Sequence, residues 1–231
     1  MSYIIWKNKK STEISGLLIT ELPPITKPKM RTSTTEIDGL DGDIVEYLGY
    51  KSYDKTISIG LARNYDLNAI MSYFNGDGKL ILSNEPDKYY KAQIIDTIDY
   101  NKLINFKTAK VKFHVQPYKY LNSESSLILE INDETSLNVE NKGLEKSKPI
   151  ITLYGSGTIQ LLINNLSVCS VNIEEDEYIT IDSEKEEAYF GSVLKNRQMK
   201  GDFPILNSGI NNVSWTGNLT KIEIQPKSRW L

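Results

Sequence analysis

Phe106-Lys107-Thr108-Ala109-Lys110-Val111-Lys112-Phe113-His114-Val115-Gln116 decides how this chain is read. Ala109, Val111, Phe113 and Val115 share one side of an extended backbone, while Lys110, Lys112, His114 and Gln116 share the other. Successive strand side chains point to opposite faces, so this is a strand with one buried and one polar face, the pattern of an antiparallel sheet. Its predicted partner is the run Tyr89 to Ile98, with the turn of a long hairpin near Asn101-Lys102.

Upstream, the same character continues. Tyr3 to Trp6 is a short apolar run followed by the polar turn Asn8-Lys9-Lys10-Ser11. Gly16 to Leu22 reads as a strand stopped by Pro23-Pro24. Arg31 to Ile37 is a further strand, Asp38-Gly39-Leu40-Asp41-Gly42-Asp43 a turn cluster, and Thr56 to Ala62 another strand. One helix interrupts the series. Leu67, Ile70, Met71 and Phe74 fall at i, i+3, i+4 and i+7, with Asp66 as N-cap and Gly76 just past the end. Asn75-Gly76-Asp77-Gly78 then turns the chain into the strand from Lys79 to Leu82.

Downstream, Pro117 to Ser126 breaks the alternation, which sets a domain boundary near residue 121. The expected domains are 1–120 and 121–231. The second is all strand: Leu127 to Ile131, Pro149 to Tyr154, Thr158 to Ile163, Leu166 to Ile173, Glu177 to Asp182 and Thr220 to Gln225. Asn164-Asn165 reads as a hairpin turn. Short strands at roughly 8–12-residue spacing suggest a β-sandwich.

Composition narrows function. The 231 residues carry 27 Lys+Arg against 30 Asp+Glu, a net charge of −3, which argues against nucleic-acid binding through bulk positive charge. One His and one Cys exclude an internal disulfide framework and a Cys/His zinc site. The N-terminus lacks the apolar run of a secretory signal, and no stretch approaches 18 consecutive apolar residues, so no membrane insertion is expected.

Each chemical candidate has a plainer reading. His114 lies on the polar face with no nucleophile or orienting partner at recognisable spacing, so a surface role is expected. Cys169 is in phase with Val171 and Ile173 and reads as buried. Asp38, Asp41 and Asp43 are wrongly spaced for a calcium loop, and Gly39 and Gly42 indicate tight turns. Glu174-Glu175-Asp176-Glu177 and Glu184-Lys185-Glu186-Glu187 read as solvated acidic loops rather than a glycosidase pair. Gly155-Ser156-Gly157 precedes a strand, not the helix that a phosphate loop needs, and reads as a hairpin turn. Trp6, Trp215, Trp230 and the 14 Tyr could stack on sugars or fill cores. No catalytic, metal or cofactor residue is assigned.

Several phrases in order resemble the distal tail protein family of phages with long non-contractile tails. They are Ile37-Asp38-Gly39-Leu40-Asp41-Gly42-Asp43, the helix Leu67 to Phe74, Gly78-Lys79-Leu80-Ile81 and Tyr89-Tyr90-Lys91-Ala92. Gly201-Asp202-Phe203-Pro204-Ile205-Leu206 and Gly209-Ile210-Asn211-Asn212-Val213 follow. The resemblance spans nearly the whole chain. It implies a mainly β protein: an N-terminal β-barrel-like domain with one α-helix, plus a C-terminal galectin-like β-sandwich. It also implies a homohexameric ring at the tail tip of a virion, assembled in the bacterial host cytoplasm. Such a ring joins the tail tube protein to a tail-associated fibre or lysin protein and to receptor-binding proteins, without catalysis or cofactor. Asp38, Gly39, Asp41, Gly42, Gly78, Gly201, Asp202, Phe203, Pro204, Gly209 and Asn211 are the motif positions, with structural roles expected. Larger family members insert a carbohydrate-binding domain, for which 231 residues leave no room. Two rival readings are a carbohydrate-binding module that attaches a tail to the cell wall, and a wall-degrading enzyme.

Overall fold

The alternating stretch forms an interior strand of the first sheet in the computed structural model, which describes residues 2–39, 41–175 and 177–231. Two units form, Met1–Asn122 with Leu231, and Ser123–Trp230. The first contains β1 (Ile4–Trp6), β2 (Lys9–Lys10), β3 (Leu17–Glu21), β4 (Met30–Glu36), β5 (Asp43–Tyr50), β6 (Tyr53–Leu61), α1 (Leu67–Tyr73), β7 (Asp77–Leu82), β8 (Glu85–Gln93), α2 (Tyr100–Phe106) and β9 (Thr108–Leu121). Its main antiparallel sheet runs β2-β1-β7-β8-β9-β6-β3, and β4 pairs with β5 apart from it. Ala109, Val111, Phe113 and Val115 are buried, while Lys110 and Gln116 are exposed. The sheet curls so that Ile4 and Trp6 of β1 and Leu17 and Ile19 of β3 enter the same core as β9.

Asp66 caps α1, its Oδ1 accepting from the Ala69 amide at 3.0 Å. Ile70, Tyr73 and Phe74 pack into the core, whereas Met71, assigned to the apolar face by period, is exposed. A second helix corrects the one-helix expectation. α2 occupies the segment where the hairpin turn was placed, so β8 stops at Gln93 and the connection to β9 is helical. Asp99 Oδ1 caps it by accepting from the Lys102 amide at 2.8 Å, Leu103 is its buried anchor, and Lys107 ends it at φ 56°. One buried residue in seven gives too short a period to stand out in sequence. β9 also continues through Pro117 to Leu121, past the expected break.

The second unit contains β10 (Leu127–Glu130), β11 (Ser136–Asn141), β12 (Ile150–Ile163), β13 (Leu166–Ile173), β14 (Tyr178–Asp182), β15 (Glu187–Phe190), β16 (Val193–Leu194), β17 (Met199–Gly201) and β18 (Gly209–Gln225). β12 and β18 are the long strands. Along Ile150–Tyr154, β12 lies between β14 and β18; from Gly157 to Ile163 it lies between β13 and β18. β18 likewise meets β10 at one end and β11 at the other. Thus the runs Pro149–Tyr154 and Thr158–Ile163, expected as separate strands, are two halves of one strand that changes neighbours.

Gly155-Ser156-Gly157 is the bend between those halves, not a hairpin turn, and the register with β18 shifts there. A Cβ on Gly155 would lie 2.1 Å from the Asn218 carbonyl oxygen, and one on Gly217 (φ +103°) 2.4 Å from that of Thr158. Only glycine permits so close an approach. Strands that bend between sheets in this way make the corners of a sandwich. Ile151, Leu153, Ile159, Leu161, Val213, Trp215, Ile222 and Ile224 accordingly belong to one core, although they come from both sides of the bend. Asn164 and Asn165, at φ 53° and 65°, make the tight turn between β12 and β13.

Two measurements check this packing. Phe113 is fully buried and meets the Trp6 ring edge-on at 5.1 Å and that of Phe74 at 6.3 Å. Phe113→Ala is expected to lower unfolding free energy by about 3–5 kcal/mol in urea titration; a loss below about 1 kcal/mol would show that the first core repacks. Burial, and secondarily the Asp202 carboxylate, pushes the Cys169 thiol up to about 12. Only roughly one part in 10⁴ is then thiolate at pH 8, so iodoacetamide should label the native protein negligibly and the urea-unfolded protein fully.

Candidate functional site

Phe106 and Ile95 are exposed singly, but several exposed apolar side chains of the first unit gather on one feature apart from its main sheet. β4 and β5 pair only with each other, in the register Thr34↔Val45, Thr35↔Ile44 and Glu36↔Asp43. Every residue from Arg31 to Gly49 that the structure describes is exposed. Ile44, Val45 and Leu48 are about half exposed, and Tyr47 is 70% exposed. Strand alternation puts Ile44 on one face and Val45 and Tyr47 on the other, so the hairpin is apolar on both sides, and the register shifts beyond Tyr47, where Leu48 lies. Arg31 Nη2 donates to the Leu48 carbonyl at 2.8 Å across the pair.

Asp38, Gly39, Asp41 and Gly42 form the tip of this hairpin, with both glycines at positive φ and no neighbour within 4 Å of a built Cβ; Leu40 lies outside the described residues. Gly78 sits at the start of β7 against the Lys7 side chain. Gly201 ends β17 against the Val168 carbonyl, and the Asp202 amide donates to that oxygen at 3.0 Å. Phe203 packs on the second core and Pro204 is buried. Asn211 is fully buried, its Oδ1 accepting from the Asn207 amide at 2.9 Å and from Asn164 Nδ2 at 3.1 Å. Its Nδ2 donates to the carbonyls of Asn207 and Gly209, so it pins the loop ending at Gly209. The motif positions therefore occupy a hairpin tip, a strand start and a loop, and do not converge on one chemical site.

A buried charged cluster lies at the root of the hairpin. Glu85 Oε1 accepts from Lys119 Nζ and Glu85 Oε2 from the Tyr90 hydroxyl, both at 3.0 Å. Burial, then Tyr53 and Glu85, drives the Tyr90 hydroxyl far above the ordinary tyrosine range. Lys55, also buried, is held below the ordinary lysine range by desolvation, partly offset by Glu85. Sequence reading missed this cluster because its members lie on β6, β8 and β9, and only the sheet register brings them together.

That register also explains His114. Asp54 stands opposite it, and Nδ1 lies 2.8 Å from Asp54 Oδ1. Lys112 bridges Asp96 at 2.6 Å and Asp54 at 3.8 Å. His114 thus has an orienting carboxylate that no local spacing could reveal. It also borders a shallow depression of about 380 Å³ lined by Lys79, Tyr89, Lys91, Gln93 and Gln116. This surface can hold polar groups. Among the described residues, no group of three or more His, Cys, Asp or Glu could hold a metal ion. No helix among them is long and apolar enough to cross a membrane.

The other candidates are absorbed by structure. Glu174 and Glu177 converge on Lys195, at 3.7 and 2.9 Å, and the hydrogen bond to Glu177 holds that ammonium above its usual range; Asp176 lies outside the described residues. Trp6 and Trp215 are core residues and Trp230 is half-buried, so the tryptophans do not form a sugar platform.

No protein-family model matches the chain, and no curated protein matches it. Solved structures do. The chain resembles the crystal structure of the SPP1 Dit protein, described as a paradigm of the hub adsorption apparatus in phages that infect Gram-positive bacteria. That match covers 100% of both chains at 14% identity, with a TM-score of 0.71. It also resembles a chain of the phage p2 baseplate in its activated conformation. With strontium the match has 10% identity and a TM-score of 0.52; with calcium, 11% and 0.51. Each spans 97% of this chain and 96% of the other. The fold is therefore mainly β and is similar over its full length to that of the SPP1 Dit protein.

Proposed function

We propose that this chain is a structural distal tail protein of a long-tailed phage or prophage, forming a hexameric ring that joins the tail tube to the tip. The hairpin of β4 and β5 carries this reading. An isolated strand pair is marginal in water, and exposed apolar surface on both faces marks an interaction site. A second copy of the chain satisfies both needs. Repeating one heterologous contact around an axis closes a ring and buries edges that otherwise invite aggregation.

In this reading the tail tube protein sits on one side of the ring. The fibre or lysin protein and the receptor-binding proteins sit on the other, with the whole at the virion tail tip after assembly in the host cytoplasm. The second unit is the galectin-like domain of the family. A net charge of −3 suits a lumen through which DNA slides, since phosphate affinity comes from Lys and Arg contacts. No catalytic role is required of His114 or Cys169.

Native mass spectrometry and negative-stain electron microscopy test the proposal. The expected result is a six-fold ring, with a Tyr47→Ser, Leu48→Ser double variant shifted at least about tenfold toward monomer while its circular dichroism is unchanged. A wild-type protein that stays monomeric at high concentration, with no rings on the grid, would overturn it.

A further inference from the structure

The segment between β3 and β4, Leu22-Pro23-Pro24-Ile25-Thr26-Lys27-Pro28-Lys29, forms no strand. Its prolines lack amide donors, so it cannot join a ladder along its length. Side chains of β6 and of the turn between β7 and β8 take up its carbonyls instead. Asn84 Nδ2 donates to Pro23 at 3.1 Å, Lys55 Nζ to Pro24 at 3.0 Å, and the Tyr53 hydroxyl to Thr26 at 3.4 Å. Three successive tethers thus fasten a proline strap that leads directly into the exposed hairpin.

Lys55 is the central tether and only 2% exposed. Its ammonium lies 5.4 Å from the Tyr53 ring centroid and 5.1 Å from that of Tyr90. Glu85, the nearby acid, is already engaged by Lys119 and Tyr90. Lys55 forms no direct bond with that carboxylate, and its charge is met by a carbonyl and two aromatic faces. An apolar side chain of similar volume would fill the space without desolvating a charge, and buried charges of this kind are best attested where they fix a register. What the lysine adds here is direction, because it holds one particular carbonyl of the strap.

We propose that Lys55 is the positioning residue of the assembly hairpin: it fixes the proline strap so that β4 and β5 leave the sheet in the one orientation that a neighbouring copy can accept. This rests on the ring reading, but its first consequence belongs to the monomer.

Hydrogen exchange read by mass spectrometry on full-length protein, diluted to monomer, provides the test. Lys55→Met should keep the circular dichroism of the wild type. Exchange across 25–50 should rise about tenfold or more, with 56–61 and 109–115 unchanged. Tyr53→Phe and Asn84→Ala, each removing one tether, should give smaller rises over the same span, and they decide the matter if Lys55→Met does not fold. At assembly concentration, Lys55→Met should lower the hexamer fraction at least about fivefold. Exchange across 25–50 within about twofold of wild type in the folded variants would overturn the strap's role. Undiminished ring formation by Lys55→Met would overturn the positioning role. A wild type that never assembles would overturn the ring reading and the positioning role, while the monomer exchange would still judge the strap.

Discussion

Backbone amides and carbonyls need partners, and a strand with an open edge leaves a row of them unmet. The two main sheets handle this by ending on short strands. β2 and β16 are two residues each, β10 has four, β3 five and β11 six. Short edges give a stranger little to pair with. The hairpin of β4 and β5 departs from that economy, with strands of seven and eight residues, no third strand and Ile44, Val45, Tyr47 and Leu48 in water. Longer than these edge strands and apolar on both faces, the hairpin offers a surface on which another molecule can pack.

The same constraint shapes the second unit. A flat sheet of this size would leave one apolar face in water. Bending β12 and β18 through Gly155 and Gly217 lets the sheet cover itself, so that Ile151 and Ile159, on either side of the bend, reach one core. Glycine is demanded there by the opposing carbonyls of Asn218 and Thr158 rather than by any turn. Asn211 performs a comparable service by polar means, satisfying three backbone groups of the preceding loop with one buried amide.

Local signals carried the reading as far as they reached. Alternation over residues 109–116, the Asp66 cap, the Asn164-Asn165 turn and the phase of Cys169 are all properties of short windows, and each has its counterpart in the structure. What window reading missed was set at long range or was too brief to show. α2 has one buried residue, and β5 gave no alternation because both its faces are exposed. The continuity of β12 was hidden because a glycine bend and a hairpin turn share the same residues. The Asp54–His114 pair and the Lys55–Glu85–Lys119 cluster depend on strand register, which no single segment records.

This division also accounts for the pattern of likeness to other proteins. A two-layer β fold asks of most positions only that apolar and polar residues alternate, and many sequences satisfy that. A few places ask for more: glycine where backbones touch, a cap at a helix start, an amide inside a loop. Sequences meeting the same demands can therefore share a backbone over their full length at 14% identity while no family model registers the match. The reactive side chains follow the same logic. His114 is held by Asp54, Glu177 by Lys195, and Cys169 is sealed in a core, so each is occupied by the architecture itself. The hairpin differs in exposing apolar side chains on both of its faces, and such a surface finds its complement in another molecule.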